Sequence, residues 1–247
     1  MTAEQRTHDM GGQPAGPINL DEHATEPWEK LITAMVGSLR GRGLMTVDEL
    51  RRAIERLAAA GAEVVSDDVP ELTEVQDLFA KEGPLVAAEA YARWQELVDH
   101  HADKIYHNVL KRFWAGSEMS AVSFENLRRG LDTLSERLHQ RLAGYSALVA
   151  PTTLIAPPPI AELEADDDAY MVANGGALHN TTLGNVLKVC AVTLPCGGTA
   201  NGRTDGATDL PVGLMLYARP FTEAALLRLA QACETALADI PKPTPKR

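Results

Sequence analysis

Hydrophobic positions follow two different spacings along this chain, and the change of spacing divides it. In the first part they recur every three or four residues, as on a helix with one buried face. Trp28, Leu31, Ile32, Met35 and Leu39 predict a helix opened by Glu26-Pro27 and broken at Gly41 to Gly43. Thr46 with Glu49 three residues on predicts a capping box for a second helix, Val47 to Ala60, which stops at Gly61. Ala62-Glu63-Val64-Val65 then reads as a short strand before Asp67-Asp68-Val69-Pro70. Helical spacing returns from Thr73 to Phe113, interrupted at Gly83-Pro84. It returns again from Ser123 to Leu142, where Phe124, Leu127, Leu131, Leu134, Leu138 and Leu142 form one stripe.

After Tyr145 the spacing changes. Ala147 to Ala150, Ala191 to Leu194 and Leu210 to Tyr217 are apolar runs closed by proline or glycine, too short for helices and rich in valine and leucine. Such runs are strands buried on both faces of a sheet covered by helices. A helix over Thr222 to Ala238 follows. The expected fold class is α/β: a partial mixed sheet flanked by helices, behind an N-terminal arm and a helical hairpin. The strands near Glu63–Val65, Ala147–Val149, Val192–Leu194 and Val212–Leu216 are expected in that one sheet, with the helices at 123–142 and 222–238 beside it.

Composition narrows the function. At 247 residues and 45% hydrophobic, the chain has enough apolar material for a sizeable core. A net charge of −11 argues against a nucleic-acid surface or an anionic membrane, both of which require clustered lysine and arginine. No run approaches a membrane span and the N-terminus is too polar for a secretion signal, so a cytoplasmic location is expected. Cys190, Cys196 and Cys233 have no paired spacing and read as buried residues. Asp99, His100, His101, Asp103 and His107 lack the spacing of a metal site and read as a solvated helix face. No metal or cofactor is expected.

Four pieces stand in a recognisable order. Ser146-Ala147-Leu148-Val149-Ala150-Pro151-Thr152 with prolines behind it is followed by Asn180-Thr181-Thr182-Leu183-Gly184-Asn185. Thr193-Leu194-Pro195-Cys196-Gly197 comes next, then Leu210 to Leu216 with Arg219-Pro220-Phe221 and Leu226 to Ala230. Together they resemble the C-terminal part of the amidase signature family, over about residues 53–247. The resemblance implies amide C–N hydrolysis by a lysine, a serine in a cis peptide and a nucleophilic serine set among glycines. That chemistry requires the serines to stand close together. The seven serines here, Ser38, Ser66, Ser117, Ser120, Ser123, Ser135 and Ser146, lack a glycine-rich flank on both sides. No Gly-x-Ser-x-Gly elbow occurs either. No catalytic residue is therefore assigned, and the chain alone is expected to be inactive. The polar residues Asn180, Thr181, Thr182 and Asn185 have two readings: a loop that lines a substrate pocket, or a cap on the helix that runs into Val189.

The first residues carry a second resemblance. His8-Asp9-Met10-Gly11-Gly12, Glu26-Pro27-Trp28-Glu29-Lys30 and Arg42 to Glu55 resemble the N-terminus of the nitrile hydratase β subunit. This implies domains of 1–52, an arm and helices, and 53–247, the amidase-like region. It also implies two possible partners: the nitrile hydratase α subunit, or an amidase N-terminal half that would bring the serines. A sheet lacking strands on one side would also expose an edge, so self-association is expected.

Overall fold

A computed structural model describes residues 31–33, 46–199 and 210–239, with the side chains of 31–33, 46–48 and 199 excepted. Its centre is one mixed sheet of five strands: β1 Leu31–Thr33, β2 Val64–Ser66, β3 Ala147–Pro151, β4 Cys190–Thr199 and β5 Leu210–Ala218. Across the sheet they stand in the order β2-β1-β3-β5-β4. β1 runs parallel to both β2 and β3, whereas β5 is antiparallel to β3 and to β4. The four strands expected from the apolar runs thus lie in one sheet.

Alternate side chains of these strands enter two different cores, as a period of two dictates. Ala147 and Val149 of β3 with Val212, Leu214 and Leu216 of β5 face Leu50, Ala53 and Leu57 of α1 (Thr46–Ala59) and Leu226, Ala230 and Cys233 of α8 (Glu223–Ala236). Leu148, Ala150, Met215 and Tyr217 face the other way, onto α2 (Pro70–Glu82), α5 (Ala121–Arg141) and α7 (Asp167–Val186). The leucine stripe of α5 is buried from Leu127 to Leu138 and continues to Leu142. Gly83 and Pro84 interrupt the helical run and separate α2 from α3 (Leu85–His100), and α4 (His107–Ser117) packs on α3 as a hairpin. A short α6 (Ile160–Ala165) leads into α7.

Two expectations are corrected. The helix expected over Pro27 to Leu39 gives way at its centre to β1, which takes its place between β2 and β3. The neighbours Leu31, Ile32 and Thr33 satisfy a helical stripe and a strand equally, and pairing on both sides with β2 and β3 decides for the strand. Of the two readings of Asn180 to Asn185 the loop is corrected, since these residues lie inside the C-terminal half of α7. The arm before residue 31, the break at Gly41 to Gly43 and the turn at Asn201-Gly202 to Asp205-Gly206 lie outside the described residues, as does the Thr46 side chain of the capping box.

α7 contains two adjacent glycines, Gly175 and Gly176, and they behave differently. A Cβ on Gly176 would stand 2.9 Å from Ile155 Cγ2, so its bareness lets the chain after β3 lie against α7. A Cβ on Gly175 would meet nothing within 4 Å. Gly175→Ala should therefore raise stability by about 0.5–1 kcal/mol, the helix-interior difference between the two residues. Gly176→Ala should give no such gain. Urea midpoints of the two variants measure this directly.

Candidate functional site

α7 begins where the Asp166 carboxylate accepts the main-chain N–H of Asp168 (2.8 Å) and Ala169 (3.2 Å). At its other end the Leu187 carbonyl accepts from the Ser135 hydroxyl (2.8 Å) and from His139 Nε2 (2.9 Å) of α5. A helix leaves its last carbonyls without internal partners, and these two donors satisfy one of them. Between its capped ends α7 carries the four residues singled out in the sequence.

They do not converge. Successive helix positions turn by about 100°, and only Asn180 points to the sheet. It is 1% exposed. Its Nδ2 donates to the Pro151 carbonyl at the end of β3, and its own carbonyl accepts the Tyr217 hydroxyl at 2.7 Å. Thr181 is half-buried and donates its hydroxyl back to Leu178 O at 3.0 Å. Thr182 is half-buried and Asn185 exposed. The amide oxygen of Asn180 is buried with no donor among the described residues, and so is Nε2 of the neighbouring His179. Burial holds the His179 imidazole below its usual pKa, hence neutral near pH 7.

The chain around Asn180 is tightly specified. Thr152 N donates to Gly213 O at 2.9 Å, and its hydroxyl meets that of Thr193 at 3.2 Å. A Cβ on Gly213 would come within 2.4 Å of that Thr152 hydroxyl, so only glycine fits there. Leu154 N donates to Gly176 O, which ties the turn after β3 to α7. At Gly197 the register of β4 shifts beside Pro195, and φ is +154°. Pro151, Thr152, Gly213 and Tyr217 were not singled out as site residues. Their sequence signal is only that of buried strands ending in turn residues, since what joins them is contact across tens of residues.

Several serines serve the helices. Ser117 donates to Trp114 O of its own helix, and Ser120 caps α5 by accepting Ser123 N. Ser135 has a histidine at 3.3 Å, which could be mistaken for a catalytic pair, yet both side chains are turned to the Leu187 carbonyl. Lys81, Lys111 and Lys188 engage carboxylates, those of Glu82, Asp167 and Asp132. Cys196 and Cys233 are buried, and burial pushes each thiol up to about 12, so they are poor nucleophiles at neutral pH.

A second polar cluster joins α4 to the first turn of α7. Asp167 accepts from Lys111 Nζ (2.6 Å), His107 Nε2 (2.7 Å) and Asn108 Nδ2 (2.9 Å). The lysine first, then the histidine and the amide, hold this carboxyl well below the usual carboxylate range. No group of three metal-ligating side chains occurs among the described residues. Because the folded pKa is depressed, the stabilisation from Asp167 is fully present above the ordinary carboxylate pKa of about 4 and fades as pH falls below it. Asp167→Asn should therefore lower the melting temperature at pH 7, and the gap to the unaltered chain should narrow steadily below about pH 4. A gap that persisted unchanged at pH 2 would assign the tie to Asn108 and packing instead.

A mixed sheet with a separate helical core on each face, and a buried polar junction where one strand ends against a long helix, defines an α/β protein. The family model described as Amidase matches residues 44–227, and the chain belongs to the amidase family. It is 30% identical over 182 residues to 2-amino-5-chloromuconic acid deaminase of Comamonas testosteroni, covering 74% of this chain and 37% of that protein. It is 33% identical over 110 residues to fatty acid amide hydrolase of Oryza sativa subsp. indica, covering 40% of this chain and 17% of that protein. The matched region thus spans less than two-fifths of the length of either relative. Among solved structures, 6-aminohexanoate cyclic dimer hydrolase complexed with substrate superposes with a TM-score of 0.70 at 19% identity, over 97% of this chain and 52% of that one. The urea amidolyase of Kluyveromyces lactis does so at 0.73 and 16%, over 90% and 13%. At these identities the structural likeness concerns the fold. No helix among the described residues is long and apolar enough to cross a membrane.

Proposed function

We propose that this chain is the non-nucleophilic portion of an amide C–N hydrolase: it builds one wall of a substrate site and does not hydrolyse amides alone. The observation that carries this is the serine inventory. None of the seven serines stands between glycines, the one described serine pair, Ser120 with Ser123 at 3.0 Å, is spent on capping α5, and Ser117 and Ser135 give their hydroxyls to main-chain carbonyls. Of the four α7 positions, Asn180 supports the wall reading best. Its amide oxygen is buried with no donor among the described residues, the one such polar group of the four. A fluorophosphonate probe, which marks activated serines, should leave the purified chain unlabelled. A labelled serine would overturn the proposal.

In this reading turnover needs serines from a second chain or a further segment, and β2 and β4, the outer strands among those described, offer edges for such pairing or for self-association. The segments at residues 8–12, 26–30 and 42–55 support a second reading, in which residues 1–52 dock the nitrile hydratase α subunit onto an amidase-like region of 53–247. The amidase match reaches back to residue 44 and overlaps the last of these segments, and this favours the first reading. Failure of the two chains to co-elute at micromolar concentration would remove the docking reading.

A further inference from the structure

α7 is buried against the sheet at Asn180, but nearer its start it faces open space. Two and three turns before Asn180, the small residues Ala173 and Ala169 leave a gap between the helix and the chain that leaves β3. Ile155, Ala156 and Pro158 form the opposite wall, and the gap is an open groove of about 510 Å³. The wall is fixed at its base, because Leu154 N donates to Gly176 O and Ile155 packs on the bare Gly176.

The groove's charge is one-sided. Its apolar lining is completed by Leu163 and Val172, and its two charged members are both carboxylates, Glu162 and Asp168. They belong to a run, Glu162, Glu164, Asp166, Asp167 and Asp168, with five acids in seven positions. Within that run only Asp167 meets cations among the described residues, and those, His107 and Lys111, belong to α4. Asp166 is turned into its capping bonds. Among the described residues no lysine or arginine lines the groove, and the whole chain carries −11. An apolar trough with unpaired carboxylates complements a ligand with a hydrocarbon body and a positive head.

We propose that this groove binds an amphiphilic organic cation, a primary alkyl- or arylalkylammonium. The hydrocarbon lies along Ile155, Ala169 and Val172, and the ammonium sits between Glu162 and Asp168. An alcohol of the same length has the same apolar body without the charge, and an alkanoate carries the opposite charge. The inference does not rest on the amidase reading, since binding here requires no nucleophile.

The test is titration of the full chain with n-hexylammonium, hexan-1-ol and hexanoate in low salt at pH 7, followed by methyl NMR shifts of Ile155, Leu163 and Val172. The ammonium should move these methyls and bind at least about ten-fold tighter than the alcohol, a difference of about 1.4 kcal/mol, while the hexanoate should leave them still. Glu162→Gln combined with Asp168→Asn should abolish the ten-fold preference and leave the alcohol's affinity unchanged. Asp168 lies in the first turn of α7, so if the double variant melts early, Glu162→Gln alone should reduce the preference. Equal binding of ammonium and alcohol, shifts elsewhere than these methyls, or a preference that survives both substitutions would overturn the proposal.

Discussion

Arg141→Ala should cost this protein about 3–5 kcal/mol, a large share of the roughly 5–15 kcal/mol that holds a typical domain folded. Glu71, in the first turns of α2, is 2% exposed although it carries a carboxylate. Arg141 at the end of α5 meets it with two parallel bonds, Nε to Oε2 at 3.0 Å and Nη2 to Oε1 at 3.2 Å. Such bidentate pairs are strong in a protected setting because both oxygens are satisfied in one geometry. Removing the arginine leaves a buried charge, and Arg137 is poorly placed to replace it. Its Nη2 is 3.6 Å from Glu71, and it is already joined in bidentate fashion to Glu74 at 2.6 and 2.8 Å. Replacing both partners by apolar residues of similar volume, Glu71→Leu with Arg141→Met, should recover most of the loss, since no charge is then buried. Urea unfolding of the two single variants and the double variant measures the coupling. A loss below about 1 kcal/mol for Arg141→Ala would place the pair with ordinary surface ion pairs.

The sheet and most helices were legible because burial imposes its period on the sequence. The two-sided strands at 147–150 and 210–217 are continuous apolar runs, and the stripe at 127–142 marks the one buried face of α5. What failed to show was decided at a distance. Leu31 to Thr33 take their form from two flanking strands, one more than a hundred residues away in sequence. The glycines of α7 looked like breaks, yet Gly176 is required by Ile155 and not by any turn. Asn180 was found as a polar residue before a strand, while its partners Pro151 and Tyr217, and the unpaired oxygen that gives it interest, emerge only from packing. Thr181, Thr182 and Asn185 were drawn in by adjacency in sequence, which on a helix spreads residues around the axis.

The second large effect expected is that the chain alone does not turn over amides. Acyl transfer to water requires a nucleophile activated by a base and donors aimed at the developing oxyanion. In serine hydrolases, loss of the nucleophile or its base lowers turnover by a factor on the order of a million, and what remains comes from binding and the oxyanion donors. Here the missing glycine-flanked serines would supply both the nucleophile and those backbone donors, so the residual rate should be small as well. Neither the His179 imidazole nor the buried Asn180 amide is a hydroxyl nucleophile. Binding without turnover is thus the signature of this reading.

The deciding measurement is a steady-state assay of the purified 247-residue chain against a panel of aliphatic and aromatic amides. Rates indistinguishable from buffer for every amide, in the chain and in each of seven Ser→Ala variants alike, are the predicted result. Turnover well above buffer that disappears on changing one of those serines to alanine would contradict it.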